Sequence, residues 1–150
     1  MTAALVVPTL DRALLAALYS AAFDEPYTLP AVEAMLQPPV GFALVAGPAA
    51  DRPPQGFAIA RSVVDEAELL MLGVVPDARR TGIGRVLVDG VCETAAARGA
   101  ASLFLEVGED NPGAVALYRA TGFETVGRRP GYYRRSGGLR VAALVMRRRI

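Results

Sequence analysis

The sequence predicts a single α/β (α+β) domain over residues 1–150, built on a mixed sheet, and three observations carry that expectation. A length of 150 residues suits one domain, which buries roughly 70% of its unfolded surface. Hydrophobic residues make up 53% of the chain, enough for a packed core. The apolar spacing then switches between helical and strand periods in a fixed order: helix, helix, strand, strand, strand, helix, strand, helix, strand, strand. The middle of that order is a β-α-β-α unit, which requires a parallel central pair joined by a right-handed crossover.

Each element has its own signal. Residues 9–22 place Leu10, Leu14, Leu15, Leu18 and Tyr19 at helical spacing, with Asp11 where the helix dipole favours an acid. Residues 30–37 read as a short second helix opened by Pro30. Gly41–Gly47 and Gly56–Val64 read as antiparallel strands joined by the Pro-rich loop 48–55. Leu69–Val75 is a near-continuous apolar run, as expected of a strand covered on both faces. After a turn, Ile83, Val86, Leu87, Val91 and Thr94 form one helical stripe that ends at Gly99. Ala101–Val107 is the next strand. Asn111 then caps a short helix, with Pro112 at its first position and its end at Gly122. Residues 123–127 and 139–146 supply the last two strands.

Absences narrow the chemistry. The chain has no uncharged apolar run of about 18 residues, so no membrane span is expected. Asp11 and Arg12 interrupt the N-terminal apolar stretch, which argues against a leader and makes the cytoplasm the default expectation. There is no His and a single Cys, Cys92, so His relays, internal disulfides and His or Cys metal sites are excluded, and no metal is expected. All sixteen basic residues are Arg, which removes Schiff-base chemistry and the lysine of a P-loop. Acid–base work falls to Asp, Glu, Tyr, Cys or water. Cys92 lies on the long helix and reads as packing. Charge is uneven: residues 1–124 sum to −7, whereas 125–150 hold eight Arg and no acid. Such an end either attracts anions or is a solvated surface.

The strongest chemical signal is the turn Arg79-Arg80-Thr81-Gly82-Ile83-Gly84-Arg85. An apolar strand ends, a loop turns, and a helix opens inside a glycine pair. The first amides of a helix lack internal partners and sit at the positive end of its dipole. Without a Cβ at Gly82 and Gly84, a pyrophosphate can approach them, and Arg79, Arg80 and Arg85 add charge. The alternative is an ordinary turn with glycines for tight packing. The dinucleotide fingerprint does not apply, because Leu87 stands where its third glycine would be.

That R-x-x-G-x-G turn resembles the acetyl-CoA signature of the GNAT N-acetyltransferases. The resemblance continues through Leu105-Glu106-Val107, Asn111, Ala116-Leu117-Tyr118, Thr121-Gly122-Phe123 and residues 127–133 (GRRPGYY). The series is similar to the RimI type, the bacterial ribosomal-protein-alanine N-acetyltransferases. It is dense over residues 64–146 and sparse before, although Phe23-Asp24-Glu25-Pro26-Tyr27 stands where the family has a substrate-side loop. The resemblance implies a mostly antiparallel mixed sheet whose parallel central strands splay, with flanking helices. It implies acetyl-CoA as co-substrate and no metal. Leu72, Gly73 and Val74 would line the pantetheine arm. Arg79, Arg80, Thr81, Gly82, Ile83, Gly84 and Arg85 would hold the pyrophosphate, and Asn111 the amide or thioester region. Glu106 would be the base and Tyr118 the acid.

The residues themselves leave room for plainer roles. Glu106 is the only acid in its strand, where a carboxylate is costly unless paired or useful, so a structural role competes with a catalytic one. Tyr118 could equally be a core tyrosine. The chain also departs from the RimI pattern, with Tyr27 where a Trp is usual and Arg140 and Val141 where acids are usual. Acidic acceptors would suit Arg134, Arg135 and Arg140. The expected partners are therefore a peptide or protein N-terminus, a ribosomal protein among them, or a small amine. Two other classes remain: a catalytically silent acyl-CoA sensor, and an RNA-binding protein using the Arg-rich end. No nucleic-acid motif supports the last, and direct nucleic-acid binding is not expected.

Overall fold

The computed structural model describes residues 4–23 and 29–150. Seven strands form one sheet in the order β1-β2-β3-β4-β5-β7-β6. They are β1 (Leu5–Pro8), β2 (Gly41–Gly47), β3 (Gly56–Val63), β4 (Glu66–Val74), β5 (Ser102–Gly108), β6 (Glu124–Arg134) and β7 (Arg140–Arg149). The helices are α1 (Arg12–Phe23), α2 (Leu29–Met35), α3 (Ile83–Ala97) and α4 (Pro112–Ala120). Every neighbouring pair is antiparallel except β4 and β5, which run parallel on either side of α3.

Alternation along the strands divides the core. Ala58 and Ala60 of β3 face Leu87, Val88, Val91 and Ala95 of α3. Their neighbours Phe57 and Ile59 face Leu15, Leu18 and Val32 of α1 and α2. Helices thus cover both sides of the sheet's first half. Asp11 opens α1 by accepting from Leu14 N at 3.0 Å, a side-chain cap.

Three differences from the sequence expectations bear on the site. First, β1 was not foreseen: four residues ending in proline are too short for a period to show, and proline is tolerated because the strand lies at the sheet edge. Second, β4 starts at Glu66 and is not covered on both faces. Leu70, Met71 and Leu72 are only half-buried, because the strand borders a cleft. Third, β6 and β7 are longer than read. Residues 130–132 of β6 bulge opposite Ala142 and pairing resumes at Tyr133↔Val141, so Pro130 and Gly131 interrupt the ladder without ending it.

The Arg-rich end is largely neutralised by acids from elsewhere in the chain. Arg128, Arg129, Arg135, Arg147 and Arg148 pair with Glu109, Glu106, Asp110, Glu124 and Asp89. The charge block seen in the sequence is therefore one half of an ion-pair set.

Candidate active site

Parallel pairing between β4 and β5 lasts only from Glu66↔Ser102 to Glu68↔Phe104. Just beyond, β4 carries a bulge: Ala60 opposes Leu69 and Ile59 opposes Met71, leaving Leu70 unopposed. A bulge bends its strand and strengthens the local twist. The two strands diverge from that point, and β4 amides facing the gap lose their ladder partners. The gap is a cleft of about 1190 Å³, with Leu69–Val74 on one wall and Leu105–Gly108 on the other.

One end of this cleft is the start of α3. Its N-cap is Gly82, at φ 91 and ψ 1, with no side-chain cap. The first intrahelical acceptor bond there is Val86 N to Gly82 O at 3.1 Å, so the preceding amides have no partner within the helix. Arg80 is also left-handed, at φ 61. Left-handed residues in a tight turn help bring main-chain N–H groups together into an anion-binding concavity. A Cβ on Gly82 would meet no protein atom within 4 Å, so the space over the turn is open.

Members of the turn divide the work. Arg80 and Arg85 are exposed and border the cleft. The Arg79 guanidinium instead donates to Val74 O at 3.1 Å and to Ala22 O at 2.5 Å, tying the end of β4 to α1. Thr81 Oγ1 donates to Ala78 O at 2.5 Å, and Ile83 is buried in the core, so these two present only main-chain groups. At Gly84 a Cβ would lie 3.1 Å from Leu117 Cδ2; its smallness lets α3 approach α4. Leu72, Gly73 and Val74 all border the cleft, as expected.

The far end brings the remaining residues together. Asn111 Oδ1 accepts from Ala114 N at 3.2 Å and caps α4, which leaves the amide NH₂ as its donor toward the cleft. Tyr118, on α4, is buried at 8% exposure, and its ring meets Phe123 edge-on at 5.6 Å. Burial, with Tyr133 nearby as a lesser cause, pushes its hydroxyl up to about 12. Glu106 is 23% exposed, and its Oε1 lies 3.3 Å from Arg129 Nη2. It stands on the wall between the large cleft and a second hollow of about 610 Å³, which also touches Glu66 and Glu68. Asp24 to Tyr27 of the expected substrate-side loop lie outside the described residues; Phe23 borders the cleft.

Tyr133 and Arg135 border the same cleft; Arg135 was expected only as a charge suited to acidic acceptors, and Tyr133 only as part of the 127–133 run. The aromatic–Arg run 129–135 was a visible signal, but nothing local shows which ring turns inward. Among the described residues no cluster of His, Cys, Asp and Glu could hold a metal ion, and no helix is long and apolar enough to cross a membrane.

Cys92 is buried, and burial pushes its thiol up to about 11, which fits packing and not nucleophilic work. This has a consequence for stability. Cys92 and Tyr118 both bind their protons more tightly when folded than at their ordinary values of 9.0 and 10.0. Their contribution is therefore complete below about pH 9 and is lost as pH rises toward 12, by up to about 2–3 kcal/mol each. The urea midpoint should fall between about pH 9 and 12, and fall less in Cys92→Ala. A midpoint that is flat over this range in the native chain would contradict the buried, neutral assignment.

The comparisons with known proteins fall on the same features. Residues 12–123 match the profile of the acetyltransferase (GNAT) family. The ribosomal protein bS18-alanine N-acetyltransferase of Escherichia coli (strain K12) is 41% identical over 90 residues, an alignment covering 60% of this chain and 60% of that enzyme. The crystal structure of the ribosomal-protein-S18-alanine N-acetyltransferase from Escherichia coli superimposes with a TM-score of 0.85 at 29% identity, covering 99% of this chain and 94% of that one. Arabidopsis thaliana NAA60 in complex with acetyl-CoA shares the fold, at TM-score 0.82 and 19% identity over 99% of each chain. With splayed strands, an uncapped helix start and a family match that spans both, this chain belongs to the GNAT family of acetyltransferases.

Proposed function

We propose that the chain moves an acetyl group from acetyl-CoA to a primary amine, and that the acceptor is a protein N-terminal α-amine of the ribosomal-protein-alanine type. The observation that carries this reading is the junction of an apolar, splayed cleft with an uncapped helix start. A donor with a long flexible arm and a diphosphate fits both parts: the arm lies between β4 and β5, and the diphosphate meets the amides of residues 82–85. The bS18-alanine acetyltransferases, 41% identical in Escherichia coli, support the choice of acceptor.

Acetyl-CoA supplies a thioester; the protein's part is positioning and proton handling. Glu106 receives the amine's proton, directly or through a water, on a carboxylate steadied by Arg129. The unpaired amides of β4 beyond its bulge polarise the thioester carbonyl. Tyr118 faces the leaving sulfur. Burial keeps the Tyr118 hydroxyl protonated in the resting site, so it can donate to the sulfur as charge develops there and serve as the general acid.

The reading is tested by incubating the protein and acetyl-CoA with a peptide library that includes alanine N-termini, followed by mass spectrometry. One acetyl group on peptide α-amines is the expected result. Acetylation of small amines alone would replace the acceptor, and no transfer at all would favour a silent acyl-CoA-binding domain.

A further inference from the structure

Tyr133 stands at a weak point of the ladder. It is the first residue to regain pairing after the three-residue bulge in β6, so strand register alone holds its ring poorly. Yet it borders the cleft with Glu106 and Tyr118 and lies close enough to feel both: burial, then Glu106, raises its hydroxyl above the ordinary value, and Tyr133 in turn raises Tyr118.

Something else must fix that ring, and Arg135 has the geometry for it. Its Nε lies 2.8 Å from Asp110 Oδ2 and its Nη2 3.0 Å from Asp110 Oδ1, a two-point fork. The same guanidinium stacks over the Tyr133 ring at 4.8 Å from its centroid. Asp110 immediately precedes Asn111, the cap of the helix that carries Tyr118. One residue earlier, Glu109 makes a second fork with Arg128, at 2.5 and 3.1 Å. Two adjacent acids of the β5–α4 loop are thus pinned on either side of the bulge, to Arg128 within β6 and to Arg135 just past its end.

Single exposed ion pairs contribute little, and Arg135 and Asp110 are 40% and 41% exposed. Paired two-point forks with a stacked ring are the exception, because planar guanidinium leaves little orientational freedom. The backbone makes room for this arrangement: a Cβ at Gly108 would collide with Asp110 Oδ1 and lie 2.8 Å from Arg135 Nη2.

We infer that Arg135 is a positioning residue: bridged to Asp110, it holds the Tyr133 ring on the acceptor side of the site, next to Glu106. Its effect on turnover rests on the acetyl-transfer reading; its effect on the ring does not. The guanidinium is therefore spent inside the protein and does not select acidic acceptors.

The experiment uses Arg135→Gln, Asp110→Asn and Arg135→Lys in the full chain, with ring-labelled tyrosine. The chain has five Tyr and no Trp, so the ring signals are few, and Tyr133→Phe identifies the one that matters. The Tyr133 signal should move in Arg135→Gln and Asp110→Asn and move less in Arg135→Lys, which keeps the charge but loses the fork. Arg119→Gln, a surface change on α4, should leave it in place. For an alanine-terminated peptide, KM should rise about tenfold in Arg135→Gln with kcat within about threefold, while calorimetric acetyl-CoA affinity stays unchanged. A Tyr133 signal unmoved in both neutral variants would overturn the assignment. So would a loss of acetyl-CoA affinity in step with the KM change, which would mean general damage. If the native chain acetylates no peptide but the ring signal still moves, Arg135's role stands and the acceptor reading falls.

Discussion

Replacing Gly82 with valine is expected to weaken acetyl-CoA binding severely while leaving the protein folded. Gly82 sits at φ 91, where a β-branched residue costs roughly 1–2 kcal/mol, well inside the 5–15 kcal/mol of a typical domain. No protein atom lies within 4 Å of the added Cβ, so the new side chain causes no internal clash. It does stand in the open space over the turn and keeps an anion from the amides that follow. Circular dichroism should show a native spectrum and a modestly lower melting temperature. Calorimetry should show affinity weakened by roughly 10²-fold or more, about 2.7 kcal/mol. Gly82→Ala, which adds only a methyl, should fall between. Unchanged affinity in the valine variant would remove the pyrophosphate from this helix start.

The second large effect is expected at Glu106. Glu106→Gln keeps the shape and much of the hydrogen bonding but cannot take a proton, so turnover should drop roughly 10²–10⁴-fold with acetyl-CoA affinity preserved. The alternative was a structural carboxylate, and the geometry speaks to it. Glu106 makes one contact with Arg129 at 3.3 Å, and that arginine is 57% exposed. It also borders two openings. A carboxylate retained only for packing would be expected to be enclosed and fully bonded. Native turnover in Glu106→Gln would nonetheless make it structural, and the base would have to be sought elsewhere on the acceptor side.

Legibility in the sequence followed the range of each interaction. The start of α3 was visible because strand, turn, glycine pair and amphipathic stripe are contiguous, and Asn111 was visible as a cap because capping spans three residues. The strand Gly41–Gly47 was read with its observed bounds, since a short apolar run between a proline pair and a Pro-rich loop has few alternatives. What escaped was set by distant partners. Arg79 looked like a phosphate ligand because it stands in the signature, yet its guanidinium is occupied by carbonyls of Val74 and, 57 positions away in the chain, Ala22. The arginines after residue 125 looked like a free basic surface because their acids lie on other elements. β4 looked doubly covered because composition does not show a splay; the cause is one unopposed residue, Leu70, in its register with β3. Tyr133 was hidden for a related reason, since the bulge before it decides which ring faces the cleft.

Main-chain N–H groups at the opening of α3 are the proposed seat of the diphosphate. The most direct test is a crystal structure of the protein with coenzyme A. Diphosphate oxygens are expected within about 2.7–3.2 Å of amides in residues 82–85, with the arm running between β4 and β5. Coenzyme A bound elsewhere, with those amides facing solvent or side chains, would contradict that placement.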